Sequence, residues 1–186
     1  ELYYCQHCSH FFTDLESIKN KEDYSPDYFT KKHPNWFENP DLKLFDYLLR
    51  CVEKTNKKEP SVLDAGCGNG DFLRYLKQKS KNFKLTGIDY YKNTPEERIN
   101  FLSGDIFNTE FNEEFDVVIS LAVIEHISEV RKYVERLKQL CKKDGIIIVM
   151  TPNNASLLYG LSRIIYPFGV KAPMEALYDK HHLNHF

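Results

Sequence analysis

The stretch Val62-Leu63-Asp64-Ala65-Gly66-Cys67-Gly68-Asn69-Gly70 decides the fold of this chain. An apolar run leads into it, three glycines alternate with other residues inside it, and a helical pattern opens directly after it at Asp71. Glycine lets the backbone turn sharply and approach a ligand closely, because it has no Cβ. A strand, a glycine turn and a helix in this order are typical of a nucleotide-type cofactor site.

Composition narrows the class of protein. The 186 residues suffice for one domain with a sizeable core and a small appendage. A formal net charge of −2 provides no basic surface, so nucleic-acid partners are disfavoured. No apolar run reaches the length of a transmembrane segment, and no signal-peptide pattern opens the chain. Five scattered cysteines argue against a disulfide framework and favour a cytoplasmic location.

Helical and strand patterns alternate after residue 40. Asn39-Pro40 is predicted to cap the first helix, and Gly145 is predicted to end the last helix before the fifth strand. The predicted helices cover residues 41–56, 71–80 and 130–141, and the predicted strands cover 61–65, 84–89, 101–106, 115–120 and 145–150. Apolar strands that alternate with helices predict an α/β, Rossmann-like fold, a doubly wound and mainly parallel sheet flanked by helices.

The ends of these strands carry the residues with chemical potential. In such sheets ligands bind at the carboxyl ends of the strands. Asp89 ends the second strand about twenty residues beyond the glycines, a spacing at which an acid accepts hydrogen bonds from ribose hydroxyls. Asp105 ends the third strand and Ser120-Leu121-Ala122 ends the fourth. Each acid taken alone could instead cap a helix or form a turn.

Together these features resemble the motif series of the class I S-adenosylmethionine (SAM)-dependent methyltransferases, over roughly residues 40 to 155. The resemblance implies that Asp89 holds the ribose and that Tyr90 packs beside the adenine. It also implies that Asp105 meets the adenine amino group while Ile106 frames the ring. The remaining cofactor contacts that it implies are Asp64, Ala65, Gly66, Cys67, Gly68 and Leu121.

The Glu125-His126 pair after the fourth strand is similar to a subgroup that includes the ubiquinone-biosynthesis O-methyltransferases and many sugar-modifying enzymes. In some of those relatives an earlier acid joins the pair to bind a divalent metal. The matching position here is Ala122, which argues against metal-assisted catalysis. Histidine titrates near neutrality, so His126 is predicted to be the general base for a substrate hydroxyl; packing or capping is the alternative.

The N-terminal 40 residues are predicted to form a separate segment ahead of a methyltransferase domain at 41–186. Cys5 and Cys8 resemble the second half of a zinc ribbon whose first half would lie upstream of Glu1, since a structural zinc site needs four ligands. Free surface thiols are the alternative. Tyr28 lies in a segment that resembles one folding over the cofactor, and is predicted to contact it; aromatic packing onto the domain is the alternative.

The C-terminal part carries an apolar helical stripe at Leu157, Leu158, Leu161, Ile164 and Ile165. Such a stripe is typical of core packing, of a homo-oligomer contact or of a lid over an apolar substrate. The His182-Leu183-x-x-Phe186 run resembles the start of the sixth strand of similar enzymes; a solvated tail is the alternative. A seven-stranded fold would continue past Phe186, so the chain is expected to be a partial form.

The sequence therefore predicts a SAM-dependent methyltransferase that acts on a small-molecule acceptor, with sugar precursors and quinols as candidates. A nicotinamide-dependent oxidoreductase is the first alternative, and the third glycine is misplaced for it. A catalytically inactive, methyltransferase-like binding module is the second. Because the sulfonium of SAM is already activated, the binding residues are easier to predict than the catalytic base.

Overall fold

The computed structural model describes residues 2–7, 10–13, 40–178 and 182–186, so Cys8 and Tyr28 lie outside the described residues. The chain divides into two compact units. The first, which we call the sheet unit, comprises Glu22–Leu121 and Arg131–Val149. The second, which we call the hairpin unit, comprises Glu1–Lys21, Ala122–Val130 and Met150–Phe186.

The secondary-structure elements follow in chain order. The strands are β1 (Leu2–Cys5), β2 (His10–Thr13), β3 (Ser61–Ala65), β4 (Lys84–Asp89), β5 (Ile99–Ser103), β6 (Phe115–Leu121), β7 (Cys141–Met150) and β8 (Asn184–His185). The helices are α1 (Leu42–Glu53), α2 (Asp71–Lys79), α3 (Val130–Leu140), α4 (Leu157–Ile165) and α5 (Ala172–Leu177), with short 3₁₀ turns at Ile124–His126 and Tyr166–Phe168. None of the described helices is long and apolar enough to cross a membrane.

The sheet unit is built on a five-stranded sheet in the order β5-β4-β3-β6-β7. The strand pairs β3–β4, β3–β6 and β4–β5 are parallel. All five residues of β3 are buried, as are the first six of β6, so both faces of these strands are covered. That burial explains their continuous apolar sequences and confirms the predicted α/β, Rossmann-like fold.

The core of the sheet unit lies between the sheet and helices α1 and α2. Both helices bury one apolar face and expose the other, as their hydrophobic periodicity predicts. The core residues come from both helices, four strands and the glycine turn: Phe45, Leu48, Val52, Val62, Cys67, Phe72, Leu73, Leu76, Leu85, Ile99, Val117 and Ile119. This packing fixes the turn between β3 and α2, because both of its flanking elements are anchored.

Three local predictions were wrong. The N-cap of α1 is Asp41, whose carboxylate accepts from the backbone N–H groups of Lys43 and Leu44, while Asn39 lies outside the described residues. The third strand ends at Ser103, because Gly104 turns the chain with φ of 152° before Asp105. Gly145 does not end a helix: β7 begins at Cys141 and runs through it.

Gly145 is needed for close packing rather than for a turn. A Cβ there would lie 2.6 Å from the Cys141 Sγ and 2.9 Å from the Asp116 carbonyl oxygen. Position 145 therefore does require a glycine. The reason is close contact with Cys141 and Asp116, which a pattern typical of helix ends does not reveal.

The hairpin unit contains a separate three-stranded sheet in the order β1-β2-β8. Both pairs are antiparallel. The His182–Phe186 run thus supplies β8 to this small sheet, and the prediction that it opens a sixth strand of the main sheet was wrong. The apolar stripe on α4 is largely exposed, with Leu157 at 88% and Ile164 at 66%, so the core-packing interpretation was also wrong for it.

A cluster of charged and polar side chains lies in the sheet unit at the start of β3 and β6. The Asp116 carboxylate accepts from the backbone N–H and the hydroxyl of Ser61 at 2.8 and 2.9 Å, and from the Nζ atoms of Lys57 and Lys142 at 2.5 and 2.9 Å. Burial opposes its ionisation, but the hydrogen bonds from Lys57, Ser61 and Lys142 outweigh burial and hold the pKa of Asp116 below its usual range.

We expect Asp116→Asn to lower the free energy of unfolding at pH 7 by about 2 kcal/mol, because it removes charge-assisted hydrogen bonds from a buried acceptor. A lowered pKa adds stability above the unfolded-state pKa of about 4, and that stability is lost as the pH falls below it. The difference between the two proteins should therefore shrink towards pH 2. Denaturant unfolding at pH 7, 4 and 2 measures it, and an equal difference at all three values would contradict the electrostatic assignment.

Candidate cofactor site and histidine cluster

The glycine turn between β3 and α2 has the left-handed backbone that its sequence predicts. Gly66, Gly68 and Gly70 have φ values of 82°, 53° and 84°. The backbone N–H groups of Gly66 and Cys67 both donate to the carbonyl oxygen of Ile88, at 2.8 and 3.1 Å. These bonds fasten the turn to the end of β4, so the first two strand ends form one surface.

Asp89 fixes this surface from the other side. One carboxylate oxygen accepts from the backbone N–H of Gly68 at 2.8 Å, and the other accepts from that of Tyr91 at 2.8 Å. Burial raises the pKa of Asp89, and these hydrogen bonds oppose the rise. The side chain is only partly exposed, so it lies at the rim of the turn. Asp89 therefore lies beside the glycine turn, and its contact with a cofactor stays a prediction.

Asp64 is the unusual group of the site. It is 2% exposed at the end of β3, and its Oδ1 atom has no hydrogen-bond partner within the described part of the chain. Burial, and next the charge of Asp89, raise the pKa of Asp64 to about 7. An unsatisfied buried carboxylate oxygen is costly, so this position favours a cationic or hydrogen-bond-donating ligand.

Asp105 and Ile106 lie in the turn after β5. The Asp105 carboxylate accepts from the backbone N–H of Phe107 at 2.9 Å, so the turn-forming role that the sequence left open is present. The backbone N–H of Gly104 donates to the carbonyl oxygen of Asp89 at 2.9 Å, which ties this turn to the end of β4. Ile106 is buried, and Tyr90 is 60% exposed.

Two residues that sequence reasoning missed support the glycine turn. The Asn93 side-chain amide donates to the Gly68 carbonyl oxygen at 2.7 Å. The Arg74 guanidinium donates to the Asn69 carbonyl oxygen at 2.5 Å and pairs with Glu96 at 2.7 Å. Asn93 contacts Gly68 from a loop 25 residues away, and Arg74 lies on a helix face, so no motif marks either residue. Leu121, the last predicted cofactor contact, ends β6 and is partly buried.

His126 belongs to a cluster in the hairpin unit. Glu125, His126 and His182 present ligand-type atoms that all lie within 4.8 Å of one another. The His126 and His182 rings meet edge to face, with centroids 4.8 Å apart. Glu125 is 1% exposed, and its Oε2 atom accepts from the Thr151 hydroxyl at 3.1 Å. Burial raises the pKa of Glu125, while hydrogen bonds oppose the rise.

The segment that carries His182 is held in place by its neighbours. The backbone N–H of Leu183 donates to the Glu125 carbonyl oxygen at 2.7 Å. The Asn184 side-chain amide donates to the Ile127 carbonyl oxygen at 2.8 Å. Ala122, the first residue of the hairpin unit after β6, has a φ of 54°, a conformation that costs a non-glycine residue energy and is enriched at functional sites.

The fold and the glycine turn define a cofactor-binding α/β domain, and comparison with known families specifies which one. A family model described as "Methyltransferase domain" matches residues 36–185. The match covers most of the chain, so this chain belongs to that methyltransferase family.

Curated relatives agree with the family. The ubiquinone biosynthesis O-methyltransferase of Rickettsia prowazekii is 29% identical over 167 residues, covering 78% of this chain and 64% of that protein. The malonyl-[acyl-carrier protein] O-methyltransferase of Acetivibrio thermocellus is 26% identical over 134 residues, covering 67% and 47%. The chain thus spans about half to two-thirds of the length of these relatives.

Solved structures confirm the fold. The plantazolicin methyltransferase BpumL, determined with a triazolic desmethylPZN analogue and S-adenosylhomocysteine (SAH), has a TM-score of 0.57 at 23% identity, covering 80% of this chain and 66% of that one. A SAM-dependent methyltransferase from Clostridium acetobutylicum has a TM-score of 0.55 at 20% identity, covering 72% and 59%.

Proposed function

We propose that this chain binds SAM at the glycine turn and transfers its methyl group to a small-molecule acceptor. The observation that carries the proposal is the buried Asp64 Oδ1 atom, which has no hydrogen-bond partner among the described residues and lies beside a left-handed glycine turn that Asp89 supports. The methionine part of SAM carries an ammonium group, which would satisfy the Asp64 carboxylate.

The same observation separates SAM from a dinucleotide. A nicotinamide cofactor places an anionic pyrophosphate on the glycine turn, where it needs free backbone N–H groups. Here the N–H of Gly68 already donates to Asp89. A second carboxylate, that of Asp64, lies near the end of β3, the strand that leads into the turn. Two carboxylates at the turn repel a pyrophosphate, so the site favours a cationic cofactor.

Each part of the proposed cofactor is assigned to particular residues around the turn. We assign the ribose hydroxyls to Asp89, the adenine to Tyr90, Asp105 and Ile106, and the ammonium group to Asp64. The backbone of 65–68 and Leu121 would line the methionine part, and Tyr28 remains a predicted contact. When bound, SAM supplies an activated methyl group, so the protein chiefly aligns the acceptor and excludes water.

We propose that the acceptor is a small molecule with a hydroxyl group, and quinols and sugar precursors are the candidates. We also propose a cytoplasmic location for the protein. The two curated relatives named above are O-methyltransferases, which supports oxygen as the methylated atom. We propose that His126 acts on the acceptor hydroxyl, directly as a general base or through a bound cation.

A turnover assay tests this function. The purified chain should form SAH from SAM in the presence of a polyhydroxylated aromatic or a sugar nucleotide, and should not form it without an acceptor. The Asp89→Ala variant is the matched blank. Cofactor binding without SAH formation over a broad acceptor panel would favour the inactive binding module instead.

Cofactor affinity should depend on pH through Asp64. Because its pKa is about 7, the carboxyl group is partly protonated at neutral pH, and a bound ammonium would hold it ionised. Binding of SAH should therefore release a proton and tighten as the pH rises from about 6 to about 8, by up to tenfold per pH unit below the pKa. Calorimetry in buffers of different ionisation enthalpy measures both effects.

Asp64→Asn should remove this pH dependence and weaken binding. Without cofactor, the raised pKa works in the opposite direction: between about pH 4 and 7 the folded state holds the proton that the unfolded state has lost. The free energy of unfolding should fall across that window and level off above it. A parent protein whose SAH affinity is the same at pH 6 and pH 8 would contradict the role of Asp64.

We also propose that Cys5 and Cys8 belong to a structural zinc site. The antiparallel pairing of β1 and β2 supports it, because it brings Cys5 opposite His10, a second residue of a ligand type that zinc takes. Zn²⁺ added to the purified protein should then bind at this pair, and the Cys5→Ser/Cys8→Ser variant should lose that bound equivalent by elemental analysis. Equal zinc content in both proteins would contradict it.

A further inference from the structure

The cluster of Glu125, His126 and His182 offers one carboxylate oxygen and two imidazole nitrogens within 4.8 Å of one another. This set of donors is the one that zinc and other first-row divalent cations take in catalytic sites with open coordination positions. Among the described residues, Glu125, His126 and His182 are the three side chains of this kind whose ligand atoms lie close enough together to hold one ion.

The three side chains come together across 56 residues of sequence, and the chain holds them there. The Leu183 N–H group bonds to the carbonyl oxygen of Glu125, so the residue after His182 is fastened to one of the other members of the cluster. Strand β8 then pairs with β2, which anchors the same segment on its other side. The approach of His182 is thus built into the hairpin unit.

The burial of Glu125 gives an electrostatic reason for a cation to bind at this cluster. Its side chain is buried and accepts a hydrogen bond from the Thr151 hydroxyl, which leaves a carboxylate with further acceptor capacity in a poorly solvated place. A buried carboxylate is costly unless a cation or further donors compensate it. A divalent ion would do so while using the two adjacent imidazoles.

We infer that Glu125, His126 and His182 bind a divalent cation, with His182 as the third ligand. The sequence argued against a metal because Ala122 stands where an acid is expected, and the structure brings His182 to the pair from a distant segment instead. A cation with three protein ligands keeps a position for an acceptor hydroxyl, which it would make more acidic; this step rests on the proposed function.

Metal titration tests the site directly. In the Cys5→Ser/Cys8→Ser background, which removes the cysteine pair, Co²⁺ should bind with one equivalent and give a visible absorption spectrum of nitrogen and oxygen ligation. Zn²⁺ should displace it. His182→Gln should weaken Co²⁺ binding by more than about 10-fold, the lower end of what losing even an outer-shell partner costs.

The matched control is His7→Gln, which removes an exposed imidazole of the hairpin unit and should leave Co²⁺ binding unchanged. Glu125→Gln is the second test variant, since an amide oxygen keeps the acceptor for Thr151 but loses the charge. Melting temperatures and SAH titrations of all variants show whether each is folded and whether the cofactor site is intact.

Weakened Co²⁺ binding in either cluster variant, with SAH binding kept, supports the metal site. Absence of saturable Co²⁺ binding to the parent, or equal affinity in the parent and both variants, overturns it, and the histidines are then a packing contact. Loss of SAH binding in the parent protein would instead overturn the proposed function, so the two failures are distinguishable.

Discussion

Asp89→Ala is expected to lower the affinity for SAH by more than about 100-fold. Two contributions disappear together. The carboxylate would make charge-assisted hydrogen bonds to the ribose hydroxyls, each worth about 1.5–3 kcal/mol, and 3 kcal/mol already exceeds a 100-fold change. It also holds the Gly68 N–H at 2.8 Å, so its removal loosens the glycine turn before any ligand arrives.

Calorimetric titration of SAH into parent and variant measures the effect. Asp89→Asn keeps an acceptor for Gly68 but loses the charge, so it should fall between the two. Asp144→Ala removes an exposed carboxylate of β7 and should bind SAH like the parent. If Asp89→Ala melts like the parent and binds SAH with the same affinity, the cofactor does not lie on this turn.

Gly87→Ala is expected to have the largest effect on the fold. A Cβ on this β4 residue would lie 2.6 Å from the Leu73 Cδ1 and 2.8 Å from the Cys67 Sγ. Both neighbours are buried, so neither can swing into solvent. Overpacking of this kind costs about 1–3 kcal/mol, and the shift of Cys67 displaces the glycine turn.

The free energy of unfolding should fall by about 2 kcal/mol, and SAH affinity should fall with it. Gly160→Ala is the matched control, since the Cβ that it would add inside α4 meets nothing within 4 Å among the described residues beyond its own stretch of helix. It should be neutral or stabilise the protein by up to about 1 kcal/mol, because alanine favours helix. Equal destabilisation by both substitutions would contradict close packing at Gly87 as the cause.

The sheet was predictable because its strands carry their own signals. β3 and β6 carry consecutive apolar residues at Val62-Leu63 and Val117-Val118-Ile119, and burial on both faces of these strands requires such runs. The glycine turn and Asp89 were predictable for a related reason. A left-handed backbone and an acid at a strand end are local requirements, and each leaves a residue type at a fixed spacing.

The remaining features depend on contacts between distant segments. His182 lies beside Glu125 and His126 because β8 pairs with β2 and Leu183 bonds to Glu125, and no spacing rule connects residues so far apart. Asn93 supports Gly68 from an irregular loop, 25 residues away. The stripe on α4 showed that a helix is amphipathic, but its exposure could not be inferred from periodicity.

The central claim is that the glycine turn binds a SAM-type cofactor, and one measurement tests it most directly. Calorimetric titrations of the parent protein with SAH and with NAD, under the same conditions, should show saturable binding of SAH at one site and none of NAD. Saturable binding of NAD without binding of SAH would contradict the claim and return the chain to the nicotinamide-dependent alternative.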